Sequence, residues 1–226
     1  MSLWIKICAN TSLDDALLAV EAGADAVGFV FAPSPRRVAP AQAAAIIAHL
    51  PAAIEKIGVF VDTPADQIYA AVRECHLTGV QLHFDASPGL PAKLHQHLGP
   101  ELRILRVLHF DAQAAAESLA QFDAHSQDTH IAAVLVDSRS PQAVGGTGVA
   151  FDWLSAQQTI FNNAKACKRL IAAGGLNPDN VAEAIRLLRP WGIDVASGVE
   201  AVPGRKDAKR LREFLARARA AEDASK

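Results

Sequence analysis

The sequence predicts an α/β protein: a single (β/α)8 TIM barrel with a parallel, eight-stranded core. Short apolar segments alternate with helical segments along the whole chain, and we count eight such strand–helix units. The apolar segments are hydrophobic almost without interruption, which is typical of parallel strands whose two faces are both covered. A regular alternation of this kind over 226 residues favours a closed barrel over an open doubly wound sheet. We therefore expect residues 1–226 to form one domain.

The elements follow one another in a regular order of strand, loop and helix. Ser12 and the acidic pair Asp14-Asp15 begin the first helix, as an N-cap and a favourable first-turn charge do, and Gly23 ends it. Apolar runs predict strands at 4–8, 26–31, 56–61, 79–83, 102–108, 132–137, 169–172 and 192–196. Helices are predicted from 12 and at 40–50, 64–73, 90–98, 112–122, 151–158, 178–188 and 206–221.

Composition excludes several classes of protein. The net charge is −2 and the isoelectric point is about 6.4, which argues against a nucleic-acid-binding surface. No apolar segment reaches the roughly 18 residues of a membrane helix, and the first residues lack the pattern of a signal peptide. The cysteines, Cys8, Cys75 and Cys167, are widely spaced and form no Cys-x-x-Cys motif. We therefore expect no disulfide framework and a reducing, cytoplasmic location.

Two strands end in side chains suited to proton transfer. Because the active sites of such barrels lie at the carboxyl ends of the strands, we expect Cys8 and Asp137 to face each other across one pocket. Lys6 shares the face of Cys8, since side chains alternate along a strand. Two roles fit Lys6: an ammonium that favours the thiolate of Cys8, or a member of a polar layer inside the barrel. Cys8 itself also fits a small buried hydrophobe.

Two glycine-containing loops follow the seventh and eighth strands. They contain Gly174-Gly175 and Ser197-Gly198. Glycine allows a backbone to approach a ligand closely, and free N–H groups near a helix start favour an anion. Barrels of this class often bind phosphate at these two loops. One Gly-Gly alone would indicate a tight turn, but two such loops predict phosphate binding at Gly174, Gly175, Ser197 and Gly198.

Further polar side chains fall at the predicted mouth. Arg36 and Arg37 lie in a proline-bounded loop after the second strand. A solvated pair is common in such a loop, whereas an inward guanidinium would bind a carboxylate through two hydrogen bonds. His83 ends the fourth strand and fits either a substrate contact or a satisfied core histidine. His95 and His97 lie two residues apart on a helix and cannot share a face, so the sequence predicts no metal centre.

Short motifs spread over most of the chain resemble one family. Their order and spacing are similar to those of phosphoribosylanthranilate isomerase, from about residue 5 to residue 205. The motifs are Lys6-Ile7-Cys8, Gly23-Ala24-Asp25-Ala26-Val27-Gly28-Phe29, Ser34-Pro35-Arg36, Gly58-Val59-Phe60-Val61, Gln81-Leu82-His83, Val136-Asp137-Ser138, Gly145-Gly146-Thr147-Gly148 with Phe151-Asp152-Trp153, Ala173-Gly174-Gly175-Leu176-Asn177, and Asp194-Val195-Ala196-Ser197-Gly198-Val199-Glu200.

The resemblance implies an Amadori rearrangement in tryptophan biosynthesis. The substrate would be N-(5-phosphoribosyl)anthranilate and the product the corresponding 1-deoxyribulose 5-phosphate, with no metal or organic cofactor. The residue at the Cys8 position is then the general base and the one at Asp137 the general acid. The two glycine loops would hold the phosphate. The substrate-binding residues that the resemblance implies are Arg36, His83, Gly146 and Gly148.

The chain departs from the family's pattern at two positions. Glycine usually follows the catalytic cysteine and the Gln-Leu-His motif, whereas this chain has Ala9 and Phe84. Both positions lie at the mouth and bear on the shape of the anthranilate pocket. The proposed chemistry also needs a thiolate at Cys8 and a protonated Asp137. We expect Lys6 to lower the pKa of the thiol and desolvation to raise the pKa of the carboxyl.

Two other functions stay open at this point. One is another sugar-phosphate isomerase on the same barrel, acting on an aminoaldose; enzymes of that kind tend to use two aspartates, so Cys8 argues against it. The other is a non-catalytic protein that binds phosphorylated sugars, and the combination of Cys8, Arg36 and Asp137 argues against that. We expect a small phosphorylated substrate as the partner, with no nucleic acid or membrane, and a monomer or homodimer.

Overall fold

The structure is a computed structural model that describes residues 2–83, 89–137, 152–163 and 169–224. Eight parallel strands form a closed barrel in chain order, with helices between consecutive strands. The predicted fold class is therefore confirmed. The strands are β1 (Trp4–Ile7), β2 (Ala26–Val30), β3 (Glu55–Val61), β4 (Gly79–His83), β5 (Arg103–His109), β6 (Ala133–Asp137), β7 (Arg169–Ala172) and β8 (Gly192–Val195).

The helices pack outside the sheet, and several bounds differ by a few residues from the predicted ones. The first, α1 (Leu13–Glu21), has the predicted cap, since the hydroxyl of Ser12 accepts a hydrogen bond from the N–H of Asp15. Within the described ranges, no helix is both long and apolar enough to cross a bilayer. The others are α2 (Pro40–Ile47), α3 (Ala65–Cys75), α4 (Leu90–Leu98), α5 (Ala115–Gln127), α6 (Trp153–Ala156), α7 (Val181–Leu188) and α8 (Ala208–Asp223).

The barrel closes where β1 pairs with β8. Their register places Lys6 opposite Asp194, and on its other side Lys6 is paired with Ala26 of β2. Beyond the end of β1, the N–H of Cys8 donates to the carbonyl of Val195 at 2.8 Å. Closure therefore brings two residues of opposite charge to the same level on neighbouring strands.

Side chains alternate between the barrel interior and the face that the helices cover. On β6, Leu135 belongs to the interior cluster, whereas Val134 and Val136 pack with Phe122 of α5. The same alternation directs Asp137 to the interior. The interior cluster takes about every second residue of the strands and comprises Trp4, Ala26, Ile57, Leu105, Val107, Ala133, Leu135, Ile171 and Ala173.

A short hairpin that the sequence analysis does not predict follows β8. Its strands, β9 (Glu200–Val202) and β10 (Arg205–Lys206), pair antiparallel. The last helix, expected from about Lys206, begins at Ala208, because the side chain of Asp207 accepts from the N–H groups of Lys209 and Arg210 and caps α8. A signal was present: a Pro-Gly dipeptide at 203–204 is typical of a turn, and aspartate is a preferred N-cap.

Candidate active site

Four side chains suited to acid–base chemistry lie at the carboxyl ends of the strands. Cys8 directly follows β1, and His83, His109 and Asp137 are the last residues of β4, β5 and β6. His109 and Asp137 are register partners, and the ring centroids of His83 and His109 are 5.7 Å apart. The predicted residues Cys8, His83 and Asp137 therefore lie at one end of the barrel. His109 lies beside them, although no motif in the sequence marks it.

Cys8 occupies a confined space, and only 6% of the residue is exposed. A Cβ atom at Gly28 would lie 2.8 Å from the Sγ of Cys8 and 3.0 Å from the Cε of Lys6. Glycine at this position of β2 is therefore what leaves room for the thiol. The backbone of Cys8 is also held, because its carbonyl accepts a hydrogen bond from the Nζ of Lys206 at 2.6 Å.

Ala9, which stands where the family's pattern has glycine, adopts a left-handed conformation with φ of 62°. A residue with a Cβ pays roughly 1–2 kcal/mol in that region. Asn10 holds the turn: its N–H donates to the carbonyl of Gly28 at 2.9 Å, and its amide donates to the carbonyls of Ile7 and Gly28 at 2.8 and 3.2 Å. The backbone thus keeps a glycine-like turn with alanine. Phe84, the second departure, lies outside the described residues.

Lys6 belongs to a buried polar layer directly below Cys8. Its Nζ donates to the Oδ1 of Asp194 and to the Oε1 of Gln81, both at 2.9 Å, and its side chain is 0% exposed. The Nε2 of Gln81 in turn donates a hydrogen bond to the Nε2 of His83 at 2.9 Å. The layer therefore runs across the interior from β8 to β4. Of the two roles that fit Lys6 in the sequence, the polar layer is confirmed, and the ammonium also acts on Cys8.

Burial and charge oppose each other at Lys6 and Cys8. Burial disfavours the ammonium of Lys6, but the negative charges of the Asp194 carboxylate and the Cys8 thiolate outweigh it, so the pKa of Lys6 lies above its ordinary value. Burial raises the pKa of the Cys8 thiol; Lys6 opposes this rise and Asp194 adds to it. The expectation that Lys6 brings the thiol pKa below its ordinary value is therefore wrong. The charge of Lys6 lowers the pKa of the thiol, as expected, but desolvation raises it by more.

Arg36 and Arg37 occupy different environments. The guanidinium of Arg36 donates two parallel hydrogen bonds to the carboxylate of Glu200, from Nε to Oε1 at 3.0 Å and from Nη2 to Oε2 at 2.7 Å, and its side chain is 18% exposed. Arg37 is exposed. Solvation, the commoner outcome for such a pair, therefore applies to Arg37. The carboxylate that Arg36 holds in the structure is one from the chain itself.

The two glycine loops lie against each other. Gly174 and Gly175 have left-handed φ values of 80° and 68°, which favour glycine. A Cβ at Gly198 would come within 1.8 Å of the carbonyl oxygen of Leu176, so glycine is required there for the contact between the loops. Over the described ranges, the N–H groups of Gly174, Gly175, Ser197 and Gly198 donate no hydrogen bond. The two loops therefore present a set of adjacent backbone donors.

Several residues around the site escaped the sequence analysis. Gln81 and Asp194 carried a usable signal, since each is polar at an interior position of an apolar strand, as Lys6 is. Glu200 ends one of the motifs that carry the resemblance, but no role was expected for it or for Lys206, because their hairpin was not predicted. In the ranges that the structure describes, no three His, Cys, Asp or Glu side chains converge as metal ligands do. The predicted substrate-binding residues Gly146 and Gly148 lie outside the described residues.

The sequence matches one family model over most of its length. The model is that of N-(5'phosphoribosyl)anthranilate (PRA) isomerase, and it covers residues 5–217. Two relatives named N-(5'-phosphoribosyl)anthranilate isomerase are each 44% identical to the chain. The one from Geobacter sulfurreducens aligns over 95% of this chain and 98% of its own, and the one from Pelobacter propionicus over 93% of each.

Solved structures of the same name share the fold. Phosphoribosyl anthranilate isomerase from Thermotoga maritima superposes with a TM-score of 0.83 at 34% identity, covering 97% of this chain and 100% of the other. Another crystal structure, a complex with reduced 1-(o-carboxyphenylamino)-1-deoxyribulose 5-phosphate, has a TM-score of 0.77 at 32% identity with the same coverage. The chain therefore belongs to the N-(5'-phosphoribosyl)anthranilate isomerase family, an isomerase family of tryptophan biosynthesis.

Proposed function

We propose that the protein converts N-(5'-phosphoribosyl)anthranilate to 1-(2-carboxyphenylamino)-1-deoxyribulose 5-phosphate, with Cys8 as general base and Asp137 as general acid. Family membership supports the reaction. The observation that carries the assignment of roles is the position of a thiol and a carboxyl at the ends of β1 and β6. Two strands separate β6 from β1 on one side of the closed barrel and four on the other, so the two groups reach the mouth from well-separated positions.

The reaction needs proton transfers at two different atoms. Asp137 donates a proton to the ring oxygen of the ribose as the C1′–O bond breaks, and the nitrogen lone pair of the anthranilate forms a C1′=N bond. The Cys8 thiolate then removes the proton at C2′, and the electrons of that C–H bond form an enolamine that tautomerises to the ketone. Two groups at separate positions suit this sequence, and each contributes typically 10²–10⁴-fold.

We assign the phosphate end of the substrate to the two glycine loops. The N–H groups of Gly174, Gly175, Ser197 and Gly198 donate no hydrogen bond within the described ranges, and backbone donors of this kind favour an oxyanion. The contact of Gly198 with Leu176 keeps the two loops at a fixed separation. Because the donors are backbone groups, a phosphate that binds across the two loops would not need to fix a flexible side chain of the protein.

We assign the anthranilate end to Arg36 and His83, with Gly146 and Gly148 retained from the sequence analysis. The pairing of Arg36 with Glu200 uses the Nε and Nη2 groups of the guanidinium. Its other edge, which includes Nη1, donates no hydrogen bond within the described part of the chain. That edge has the two parallel donors that a second carboxylate, such as that of anthranilate, requires.

The assigned reaction also bears on the location, the partners and the oligomeric state of the protein. We propose a cytoplasmic enzyme whose partner is a small phosphorylated substrate, with no nucleic acid and no membrane. The thiols of Cys8 and Cys75 are free and buried, which fits a reducing compartment. A solved relative at 31% identity is described as monomers of a dimeric enzyme from Thermotoga maritima. For this chain we propose a monomer or a homodimer.

The acid and base roles predict the loss of turnover in two variants. Asp137→Asn removes the transferable proton and Cys8→Ser replaces the thiolate by a much weaker base, so each should lower kcat by about 10²–10⁴-fold. Binding of a reduced product analogue should stay close to wild type, because the shape of the pocket is kept. Turnover is followed by the loss of fluorescence of phosphoribosylanthranilate.

Cys75→Ser is the matched control for these variants. Cys75 is also a buried thiol, but it lies on α3 and its Sγ contacts the carbonyl of Pro40 outside the barrel, so this variant should turn over normally. If Asp137→Asn or Cys8→Ser keeps more than about a tenth of wild-type turnover, a loss of only about 1.4 kcal/mol, the residue is not the proton-transfer group.

The raised pKa of Cys8 predicts that its thiol ionises only at high pH. Because burial raises that pKa, the midpoint of thiolate formation should lie above the ordinary thiol value of about 8.5. The increase in ultraviolet thiolate absorbance with pH, taken as the difference between wild type and Cys8→Ser, measures this midpoint directly. A midpoint below about 8.5 would contradict the effect of burial.

The different environments of Arg36 and Arg37 predict different effects of their removal. Arg36→Ala should lower kcat/KM by about 30-fold or more, since truncating one partner of a desolvated charge pair costs at least about 2 kcal/mol. Arg37→Ala removes an exposed guanidinium and should behave almost as wild type. Steady-state kinetics of the two variants tests this, and the opposite order would assign the substrate carboxylate to Arg37.

A further inference from the structure

Two buried charged residues of the hairpin play no part in the proposed acid–base chemistry. The side chains of Glu200 and Lys206 are 3% and 0% exposed, although they belong to β9 and β10, outside the barrel. Their charged groups are 3.4 Å apart. Charges are rarely buried without a structural or functional consequence, because removing them from water is costly unless both are paired and hydrogen-bonded.

Glu200 is surrounded by donors. Besides the three hydrogen bonds from Arg36, its Oε1 accepts from the backbone N–H of Gly204 at 3.3 Å and from the Nζ of Lys206 at 3.4 Å. Burial disfavours the carboxylate, but Arg36 and Lys206 outweigh it, so the pKa of Glu200 lies below its ordinary value. The carboxylate is therefore a fixed anion against which the guanidinium of Arg36 is oriented.

Lys206 connects the same carboxylate to the strand end that carries Cys8. Its Nζ donates to the carbonyl of Cys8 at 2.6 Å and to that of Ala196 at 3.4 Å. The backbone of Lys206 is itself held, since its N–H donates to the Oδ2 of Asp15 on α1 at 3.3 Å. One ammonium therefore contacts the ends of β1 and β8 and the partner of Arg36.

We propose that Glu200 and Lys206 are a positioning pair that couples Arg36 to Cys8 and so aligns the aryl carboxylate of the substrate with the base. The proposal rests on the roles assigned above to Arg36 and Cys8. Neither member of the pair touches the reacting atoms. Glu200 holds one edge of the guanidinium and leaves the other edge to the ligand, and Lys206 fixes the peptide between Cys8 and the strained Ala9.

The physical advantage lies in pre-organisation. A free arginine loses considerable rotamer freedom when it binds a carboxylate, and an arginine that is already fixed avoids most of that loss. The peptide after Cys8 needs similar support, because Ala9 is held in a conformation that glycine would adopt more readily. The Glu200–Lys206 pair both fixes the side chain of Arg36 and supports the peptide after Cys8. A displacement of Arg36 should therefore also change the position of Cys8.

The test for Glu200 is a double-mutant comparison with Arg36. Glu200→Gln should raise KM for phosphoribosylanthranilate by about tenfold in the wild-type background and change kcat less, because it loosens recognition of the carboxylate. In the Arg36→Ala background the same substitution should change KM by less than about twofold, since its effect passes through Arg36. Equal fold-changes in both backgrounds would overturn the coupling and leave Glu200 a structural residue.

The test for Lys206 separates positioning from folding. Lys206→Met should lower kcat by about tenfold. The Glu200→Gln/Lys206→Met double variant removes both charges of the buried pair and leaves only the partly exposed guanidinium of Arg36 without its carboxylate. The double variant should lose less kcat/KM than the product of the two single fold-losses in kcat/KM. A fold-loss equal to that product would overturn a shared role. Glu213→Gln is the control, because Glu213 forms a partly exposed ion pair with Arg217 on α8, and its kinetics should be unchanged.

These experiments distinguish the two proposals. If Cys8→Ser and Arg36→Ala are fully active, the assigned catalytic roles fail before the pair is tested. If those two variants are impaired while Glu200→Gln and Lys206→Met turn over as wild type with unchanged KM, the catalytic roles stand and the positioning pair is wrong.

Discussion

The mouth of this barrel depends on the buried ion pair between Lys6 and Asp194. The Nζ–Oδ1 distance is 2.9 Å and the lysine side chain has no exposed surface. Two charges in such a place cost several kcal/mol each unless they are paired and their remaining donors are satisfied, and Gln81 supplies that further partner. Because Lys6 and Asp194 are register partners on β1 and β8, the pair also lies where the barrel closes.

The interior of the barrel changes character along its axis. An apolar cluster that includes Trp4, Leu105 and Leu135 fills one part, the layer of Lys6, Gln81 and Asp194 follows, and titratable side chains end the strands. The ammonium therefore lies close enough to oppose the desolvation of the Cys8 thiol without overcoming it. A thiolate with a raised pKa is a stronger base once formed, and the fraction that carries it depends on the pH.

The hydrophobic pattern of the sequence was sufficient to predict the strands of the barrel and the residues at their ends. Uninterrupted apolar runs identified the strands, and the barrel rule then placed Cys8, His83 and Asp137 at strand ends. It was insufficient where distant segments meet. Lys6 was visible as a polar residue on a buried strand, but its partners are 75 and 188 residues away in sequence. The pKa of Cys8 was predicted in the wrong direction, because a sequence shows a neighbouring charge but not the extent of burial.

The Lys6→Met/Asp194→Asn double variant tests most directly whether this pair controls the base. It removes both charges and leaves neither buried alone, so the barrel should fold with a melting temperature near that of wild type. The charge of Lys6 opposes the raised pKa of Cys8 more strongly than Asp194 adds to it. The midpoint of thiolate formation at Cys8, followed by ultraviolet absorbance, should therefore move to higher pH in the double variant. A midpoint that stays in place, or moves to lower pH, would contradict the account.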